Sequence, residues 1–202
     1  MLEVRAARPD EFDAVLDFYT EMIDQMQGTD FDVQWKHGVH PSPEFLRSSL
    51  EREQVVIGLL PPGAACEKTA GTTSDAEGAD PAFGERGADS VIACALVVNH
   101  EGASGYDAVP WAVNVPAEQV GVLHVVATLP TYHGRGFARQ LVNATADLAR
   151  ARGLAALRLD TFPHNVRGRG LYESCGFEDK GEWTVHYSSL GDTQVNMYEL
   201  VL

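Results

Sequence analysis

Apolar and polar residues along the chain follow two different periods, and the switches between them predict the order of strands and helices. Residues 2–7 alternate, as a half-buried strand does, whereas from Pro9 to Gly28 apolar side chains recur at steps of three and four, as in an amphipathic helix. The same two patterns continue along the chain, giving helices over 42–52, 137–152 and 166–175 and strands over 54–60, 90–99, 120–128, 156–161, 182–187 and 194–201. This order predicts an α/β protein with a mixed, mostly antiparallel twisted sheet of about seven strands, flanked by about four helices.

One segment, residues 61–89, breaks this pattern. It contains five Gly, seven Ala, three Pro and six acidic residues, and its only large apolar side chain is Phe83. Such a composition cannot bury enough apolar surface to offset the loss of chain entropy, so we expect a flexible acidic loop rather than a separate domain. The chain is therefore predicted to form a single domain over residues 1–202.

The charge of the chain is strongly acidic and unevenly distributed. With 15 basic and 29 acidic residues its formal net charge is −14, which argues against a general nucleic-acid binder because such proteins need a basic surface. Residues 1–110 carry 7 basic and 20 acidic side chains, whereas residues 135–169 carry seven arginines and two acids. The arginine-rich stretch is either an anion-binding surface or a solvated helix face, and the acidic first half favours a cationic partner.

Neither a targeting signal nor a disulfide framework is predicted. No apolar run approaches the ~20 residues that cross a bilayer, and the first residues lack a basic region followed by an apolar stretch. The three cysteines, Cys66, Cys94 and Cys175, are odd in number and far apart, which favours a reducing compartment. We therefore expect a cytoplasmic protein that does not bind membranes.

The most informative segment is a strand that runs into a glycine-containing turn and then directly into a helix. The strand over 120–128 is followed by His133-Gly-Arg-Gly-Phe-Ala138, and the next predicted helix starts at Phe137. Glycines allow positive φ and a close approach of a ligand to the backbone, and the unpaired N–H groups of a helix N-terminus bind phosphate. The chain has neither Gly-Lys-Ser/Thr nor an early Gly-x-Gly-x-x-Gly, which argues against an NTPase loop and a dinucleotide fold.

Two motifs resemble those of the GNAT superfamily of acyl-CoA-dependent N-acetyltransferases. His133-Gly-Arg-Gly-Phe-Ala138 is similar to the family's Arg/Gln-x-x-Gly-x-Gly/Ala turn. Asn165-Val-Arg-Gly-Arg-Gly-Leu-Tyr-Glu-Ser-Cys-Gly-Phe177 is similar to its Asn-x-x-Ala-x-x-Leu-Tyr-Glu-x-x-Gly-Phe segment. His133 stands where Arg or Gln is usual and Gly168 where Ala is usual, so we expect weaker side-chain help there rather than a loss of binding.

The resemblance implies acetyl-CoA as co-substrate. No metal is expected, because His37 and His40 lie in a loop without partners at metal-ligand spacing. The turn and the helix start would bind the pyrophosphate of acetyl-CoA through backbone N–H groups, helped by the arginine-rich stretch. The strand before the turn would pair with the pantetheine arm, which Asn165 would also contact. The residues implied in acetyl-CoA binding are Val125, Val126, Ala127, His133, Gly134, Arg135, Gly136, Phe137, Ala138, Arg139, Asn165 and Tyr172.

Two side chains are candidates for the chemistry of acetyl transfer to a primary amine. Tyr172 matches the family's tyrosine general acid, which protonates the departing thiolate; otherwise it is an ordinary packed helix tyrosine. His124, next to the expected thioester, is either the general base, directly or through water, or a hydrogen-bonded structural histidine. We expect the Val126 N–H to polarise the acetyl oxygen. Asp160 is either a second base or a partner of the groups around Arg158.

The sequence does not identify the acceptor amine. We expect its binding surface to come from the first helix and its loop, the 100–117 loop and the terminal hairpin, whose aromatic and acidic residues suit a cationic small amine or a peptide amine. The alternatives are a different acyl-CoA and a non-catalytic acyl-CoA-binding or sensing protein. The oligomeric state stays open, although small enzymes of this type often form homodimers. Each aromatic candidate for the acceptor side could instead be a core residue. The candidates are Tyr19, Met22, Met26, Trp35, Tyr106, Asp107, Trp111, Glu118, Trp183, His186 and Tyr187.

Overall fold

A computed structural model describes residues 2–29, 32–33, 35–61, 90–187 and 190–202, and over these residues it contains a seven-stranded sheet and four α-helices. The predicted α/β fold with a mixed sheet is therefore confirmed. The acidic loop predicted over 61–89 lies, apart from Pro61, outside the described residues. The strands are β1 (Glu3–Ala6), β2 (Val55–Leu60), β3 (Val91–Asn99), β4 (Val120–Thr128), β5 (Ala156–Thr161), β6 (Glu178–Tyr187) and β7 (Gly191–Val201), and the helices are α1 (Phe12–Met26), α2 (Pro43–Glu51), α3 (Phe137–Ala151) and α4 (Val166–Ser174).

The sheet has the order β1-β2-β3-β4-β5-β7-β6, and β4 and β5 are its one parallel pair among the described strands. Every other neighbouring pair is antiparallel. A parallel pair cannot be closed by a hairpin, and α3 supplies the crossover that returns the chain to the start of β5. The place where the sheet changes from antiparallel to parallel pairing therefore lies at its centre, beside the N-terminus of α3.

Two apolar clusters hold the sheet between its helices and loops. The larger one contains the inner faces of α1, α2 and α3 together with β2 and β3, whose middle residues are almost all buried. Because β3 contacts both α1 and α3, this part of the sheet is covered on both faces. The smaller cluster joins Tyr106 and Val109 of the loop before β4 to the neighbouring faces of β4, β6 and β7.

Three predicted element starts are wrong, those of α1, β6 and β7, and the last of these strands begins at Gly191 instead of residue 194. Residues 9–11 form a 3-10 turn before α1, in which the Glu11 carboxylate accepts the Arg8 N–H at 2.7 Å and pairs with Arg5 at 2.7 Å. β6 begins at Glu178, four residues before the predicted start. Its pairing with β7 shifts beside Gly181, which has φ +89°. This irregularity interrupts the alternation of polar and apolar residues from which the strand was predicted.

Candidate active site

A wedge opens between β4 and β5 because these parallel strands pair over only three residues. Residues 120–122 pair with residues 156–158, and no further pairing between the two strands follows. β4 continues to Thr128 along β3, so the backbone groups of its later residues that face β5 have no strand partner. Such an edge can hold an extended ligand through main-chain hydrogen bonds, as an added strand would be held.

The later part of β4 contains a bulge at Val125. The pairing of β4 with β3 shifts by one residue at Leu96, so two residues of β4 lie opposite one residue of β3. Val125 has φ +45°, a left-handed conformation that is rare for a β-branched residue. The buried Tyr19 hydroxyl on α1 donates a hydrogen bond of 2.9 Å to the Val125 carbonyl oxygen. A contact from α1 therefore stabilises the strained backbone beside the wedge.

The turn between β4 and α3 requires its two glycines for their conformation. Gly134 has φ +77° and Gly136 has φ +74°, the left-handed region that favours glycine. A Cβ at either position would meet no protein atom within 4 Å, so the space above the turn is open to a ligand. Gly136 is the N-cap of α3 and no described side chain caps the helix, which leaves the N–H groups of its first turn available to an anion.

A cavity of about 610 Å³ joins the end of β4, the glycine turn, the start of α3 and one face of α4. Of the residues predicted to bind acetyl-CoA, Val125 and Arg135 do not line it. The Val125 side chain is buried in the main core, and the Arg135 guanidinium lies 5.5 Å from the centre of the Tyr132 ring. The structure brings the other ten together around the cavity: Val126, Ala127, His133, Gly134, Gly136, Phe137, Ala138, Arg139, Asn165 and Tyr172.

Tyr172 lies on α4 with its side chain against this cavity and is 7% exposed. Its ring packs between Phe177 and Tyr198, at centroid distances of 5.9 and 6.0 Å. Burial raises the pKa of the phenol well above its usual value, and the negative charge of Asp160 adds to the increase. Among the described residues the hydroxyl has no hydrogen-bond partner, so Tyr172 is a protonated donor available to a ligand at neutral pH.

His124 lies on β4, one residue before the bulge, and its ring is held on both sides. Its Nε2 is 2.8 Å from Asn99 Oδ1, and the Phe45 ring of α2 packs edge-on at 6.2 Å. Asn99 Oδ1 also accepts the Glu101 N–H, so Nε2 must donate and Nδ1 carries the lone pair. Burial lowers the pKa of His124, and the charges of Asp160 and Glu101 only partly oppose this effect. The ring is therefore neutral at pH 7, as a general base must be.

Asn165 caps α4 as well as lining the cavity. Its Oδ1 accepts the Gly168 N–H at 3.0 Å, and its Nδ2 donates to Thr161 Oγ1 at 3.0 Å. A Cβ on Gly168 would lie 2.4 Å from Asn165 Nδ2, so the alanine usual in the resembling motif would displace this side chain. Glycine at position 168 thus leaves the space in which the Asn165 side chain caps α4.

The resemblance implied that the whole arginine-rich stretch helps to bind the pyrophosphate. In the structure this stretch does not face one anion site. Among the described arginines, only Arg139 and Arg167 line the cavity. Arg135 lies in the turn and Arg152 directly after α3, and the other three lie on α3, β5 and α4, where successive positions point in different directions. These three make ion pairs within the scaffold: Arg150 with Asp147, Arg158 with Glu199 and Arg169 with Asp179.

The lining chemistry of the cavity fits an acyl-CoA. The Thr128 hydroxyl lines it, is buried and has no hydrogen-bond partner among the described residues. His133 Nε2 donates to the Thr128 carbonyl oxygen at 3.0 Å, which connects the turn to the end of β4. An unpartnered hydroxyl beside an unpaired strand edge suits a polar amide arm, and the open helix start with two arginines suits a pyrophosphate.

Asp160, at the wedge end of β5, accepts hydrogen bonds from two tyrosines far away in sequence. Tyr106 donates to its Oδ2 at 2.7 Å, and Tyr187 donates to its Oδ1. Its charge contributes to raising the pKa of Tyr172 and opposes the lowering of the His124 pKa, which places it near both candidates for catalysis. Arg158 is bonded to Glu199 at 3.0 Å. The sequence singled out Asp160, Tyr106 and Tyr187 separately, but it carried no signal that the two tyrosines contact Asp160.

The residues predicted to surround the acceptor divide into three groups. Met22, Met26 and Trp35 line the cavity. Tyr106 and Tyr187 contact Asp160, whereas Tyr19 is a core residue that holds the bulge. The remaining candidates lie elsewhere, with Trp111 stacked 4.3 Å from the Arg158 guanidinium, Trp183 bonded to the Lys180 carbonyl oxygen, His186 paired with Asp192, and Asp107 and Glu118 exposed.

Neither a cluster of metal ligands nor a membrane-spanning helix is found within the described part of the chain. No group of three or more His, Cys, Asp or Glu side chains is arranged to hold a metal ion there. None of the described helices has both the length and the apolar character needed to cross a membrane. Cys94 and Cys175 both carry free thiols.

Solved acetyltransferases share this fold. A GNAT-family acetyltransferase from Streptococcus agalactiae superposes with a TM-score of 0.68 at 17% identity, over 100% of this chain and 95% of that one. The yncA protein of Salmonella typhimurium, solved with its cofactor acetyl-CoA, superposes with a TM-score of 0.58 at 13% identity, over 100% and 94%. The ribosomal-protein-S18-alanine N-acetyltransferase of Escherichia coli superposes with a TM-score of 0.57 at 15% identity, over 100% of this chain and 94% of that one.

Sequence comparison gives shorter but closer matches. The mycothiol acetyltransferase of Beutenbergia cavernae is 35% identical over 81 residues, 40% of this chain and 27% of that protein. YycN of Bacillus subtilis, named an uncharacterized N-acetyltransferase, is 42% identical over 48 residues, 24% of this chain and 31% of that protein. The matched region thus spans less than a third of either relative. The model of the acetyltransferase (GNAT) family matches residues 64–177, more than half of the chain. The chain therefore belongs to the acetyltransferase (GNAT) family.

Proposed function

We propose that the protein is an N-acetyltransferase that transfers the acetyl group of acetyl-CoA directly to a primary amine, with residues 1–202 acting as one catalytic domain. The observation that carries this proposal is the single cavity that joins an unpaired edge of β4, an uncapped helix start behind two left-handed glycines, and the Tyr172 phenol. These three features match the three parts of an acetyl-CoA molecule: its amide arm, its pyrophosphate and its sulfur. The free thiols of Cys94 and Cys175 support a cytoplasmic location.

The binding roles follow from the chemistry of each lining group. The N–H groups at the start of α3 bind the pyrophosphate, together with Arg139 and Arg167. The backbone of residues 125–127 and the Thr128 hydroxyl hold the pantetheine arm, and Asn165 contacts it from α4. Acetyl-CoA supplies the acetyl group as a thioester, and the new C–N bond forms as the C–S bond breaks.

The reaction itself requires a base, an oxyanion donor and an acid. His124 accepts the proton of the attacking amine at Nδ1, directly or through a water molecule, since its Nε2 already donates to Asn99. The Val126 N–H, beside the bulge, donates to the acetyl oxygen as it gains negative charge. Tyr172 gives its proton to the departing sulfur, for which burial keeps the phenol protonated. No covalent intermediate with the protein is needed, because the cavity brings both reactants together.

The acceptor that suits this site is a cationic small amine or a peptide amine. Asp160, at the wedge end of β5, accepts hydrogen bonds from Tyr106 and Tyr187, and the Trp35 ring lines the cavity. The first half of the chain is strongly acidic, and carboxylates and aromatic rings both attract a cationic group. An anionic acceptor would be repelled by the same groups.

The experiment is a thiol-release assay with acetyl-CoA and a panel of primary amines, with mass spectrometry of the products. We expect CoA release that depends on the amine and an N-acetylated product in equal amount. Faster release from another acyl-CoA would identify a different donor. Tight acetyl-CoA binding without amine-dependent release would instead indicate a non-catalytic acyl-CoA-binding protein and contradict the proposal.

A further inference from the structure

The carboxylate of Asp160 is held in a fixed orientation by three separate parts of the fold. β5 carries Asp160 itself, the short turn over Tyr106–Ala108 carries one phenol donor, and the end of β6 carries the other. The Tyr106 ring is buried and packs against Trp111 at 5.4 Å, which fixes the position of its hydroxyl. Asp160 keeps part of its surface exposed, so a ligand can reach it. Each carboxylate oxygen retains a further acceptor position after binding one phenol.

No cation of the described protein neutralises this carboxylate. Two basic side chains of neighbouring strands, Arg158 on β5 and Lys180 on β6, are both paired with the fully buried Glu199, at 3.0 and 3.6 Å. His124 is neutral at pH 7 because burial lowers its pKa. The ring of His40, although this residue is exposed to solvent, also has a lowered pKa because of the groups packed around it and because of His124. Asp160 is thus an oriented negative charge without a positive partner.

Asp160 does not itself line the cavity but lies at the wedge end of β5, near residues that do. Its charge acts on Tyr172, which lines the cavity, and on His124, two residues before the cavity-lining Val126. It acts as well on His40, whose ring packs edge-on against Trp35 at 5.3 Å, and Trp35 lines the cavity. An acceptor whose amine reaches Tyr172 and His124 therefore comes near the Asp160 carboxylate.

The attacking nitrogen must be neutral, and a carboxylate in direct contact with it would favour its protonated form and slow the reaction. Asp160, which we call the anchor, therefore suits a positive charge on a different part of the acceptor. We propose that Asp160, oriented by Tyr106 and Tyr187, binds a second cationic group of the acceptor, so that the preferred substrates are primary amines with two positive charges, such as linear diamines. This inference rests on the proposed acetyltransferase function and specifies its substrate class.

The experiment compares two probes of equal length, 1,5-diaminopentane and pentylamine, by calorimetric titration into the protein saturated with CoA. We expect the diamine to bind about tenfold more tightly or better, because one charge-assisted contact is gained. Asp160→Asn, which keeps the shape of the side chain, should remove this preference. Asp147→Asn, an exposed aspartate on α3 that pairs with Arg150, should keep it. In thiol-release assays the same preference should appear in KM rather than in kcat.

Each result decides one part of the account. Equal binding of diamine and pentylamine, or a preference that survives in Asp160→Asn, overturns the anchor while leaving the acetyltransferase proposal intact. Failure of the wild-type protein to bind acetyl-CoA or CoA contradicts the acetyltransferase proposal itself. Where Asp160→Asn does not fold, the Tyr106→Phe/Tyr187→Phe double variant removes both orienting donors and keeps the rings; it should lose most of the diamine preference, and an undiminished preference overturns the anchor.

Discussion

The Tyr19 hydroxyl donates a 2.9 Å hydrogen bond to the Val125 carbonyl oxygen and thereby joins α1 to the bulge of β4. Val125 is held at φ +45°, which costs conformational energy that the surrounding structure must offset. The bulge directs the following backbone into the wedge beside β5, where the acetyl group is proposed to bind. A core tyrosine and a strained strand residue thus shape the site, although neither side chain lines the cavity.

Tyr19→Phe should lower both stability and acetyl-CoA affinity. Loss of the hydroxyl leaves the buried Val125 carbonyl oxygen without its partner, which we expect to reduce the free energy of unfolding by about 1–3 kcal/mol. Chemical denaturation measures this loss, and calorimetry measures the affinity. Thr20→Ala removes an exposed hydroxyl from the same helix and should change stability by about 0.5 kcal/mol or less. An unaltered acetyl-CoA affinity in Tyr19→Phe would show that this hydrogen bond to the bulge does not contribute to ligand binding.

Gly136→Ala should weaken acetyl-CoA binding, and Gly153→Ala provides the matched control. Gly136 has φ +74° and Gly153 has φ +77°, and at both a Cβ would meet no atom within 4 Å. Each substitution should therefore cost about 1–2 kcal/mol of stability through backbone strain. Only Gly136 lies at the start of α3 and lines the cavity, so only its variant should bind acetyl-CoA about tenfold more weakly. Equal affinities in the two variants would contradict the pyrophosphate role of the turn.

Tyr172→Phe should reduce kcat far more than it reduces acetyl-CoA binding. The variant keeps the ring packed between Phe177 and Tyr198 but removes the proton that the sulfur would receive. General acid catalysis typically contributes about 10²–10⁴-fold, so we expect kcat to fall by about 100-fold or more with little change in Kd. Steady-state kinetics combined with calorimetry tests this, and a kcat equal to that of the wild type would reject the role.

The pH dependence of the reaction should reflect the lowered pKa of His124. Because burial disfavours the imidazolium, the neutral base persists below the ordinary histidine pKa of 6.5. As pH falls, kcat/KM should therefore decline through a limb whose apparent pKa is below 6.5, in addition to the ionisation of the amine. His124→Ala should remove this limb. A profile that is unchanged in the variant would leave His124 as a structural histidine bonded to Asn99.

The parts of the molecule that the sequence predicted are those governed by local pattern. Strands β4 and β5 have the predicted bounds, since apolar runs ended by turn residues determine both ends. The glycine turn was recognisable because left-handed backbone requires glycine wherever it occurs, as it does at Gly134 and Gly136.

Contacts between distant segments could not be predicted in the same way. Nothing local to Tyr19 indicates that its hydroxyl reaches Val125, 106 residues later in the chain. The separation of Arg139 and Arg167 from the other arginines depends on which face of each element points to the cavity. The bulge was hidden for a related reason: an extra residue in β4 reverses the alternation of faces, and a continuous apolar run carries no sign of that reversal.

Calorimetric titration of the protein with acetyl-CoA, with CoA and ATP as comparisons, is the decisive test of the proposed acetyl-CoA site. We expect micromolar binding of acetyl-CoA, similar binding of CoA, and much weaker binding of ATP, which lacks the pantetheine arm that β4 would hold. Absence of acetyl-CoA and CoA binding at high protein concentration would contradict the assignment of the wedge and the glycine turn to acetyl-CoA, and the role given to Tyr172 would fall with it.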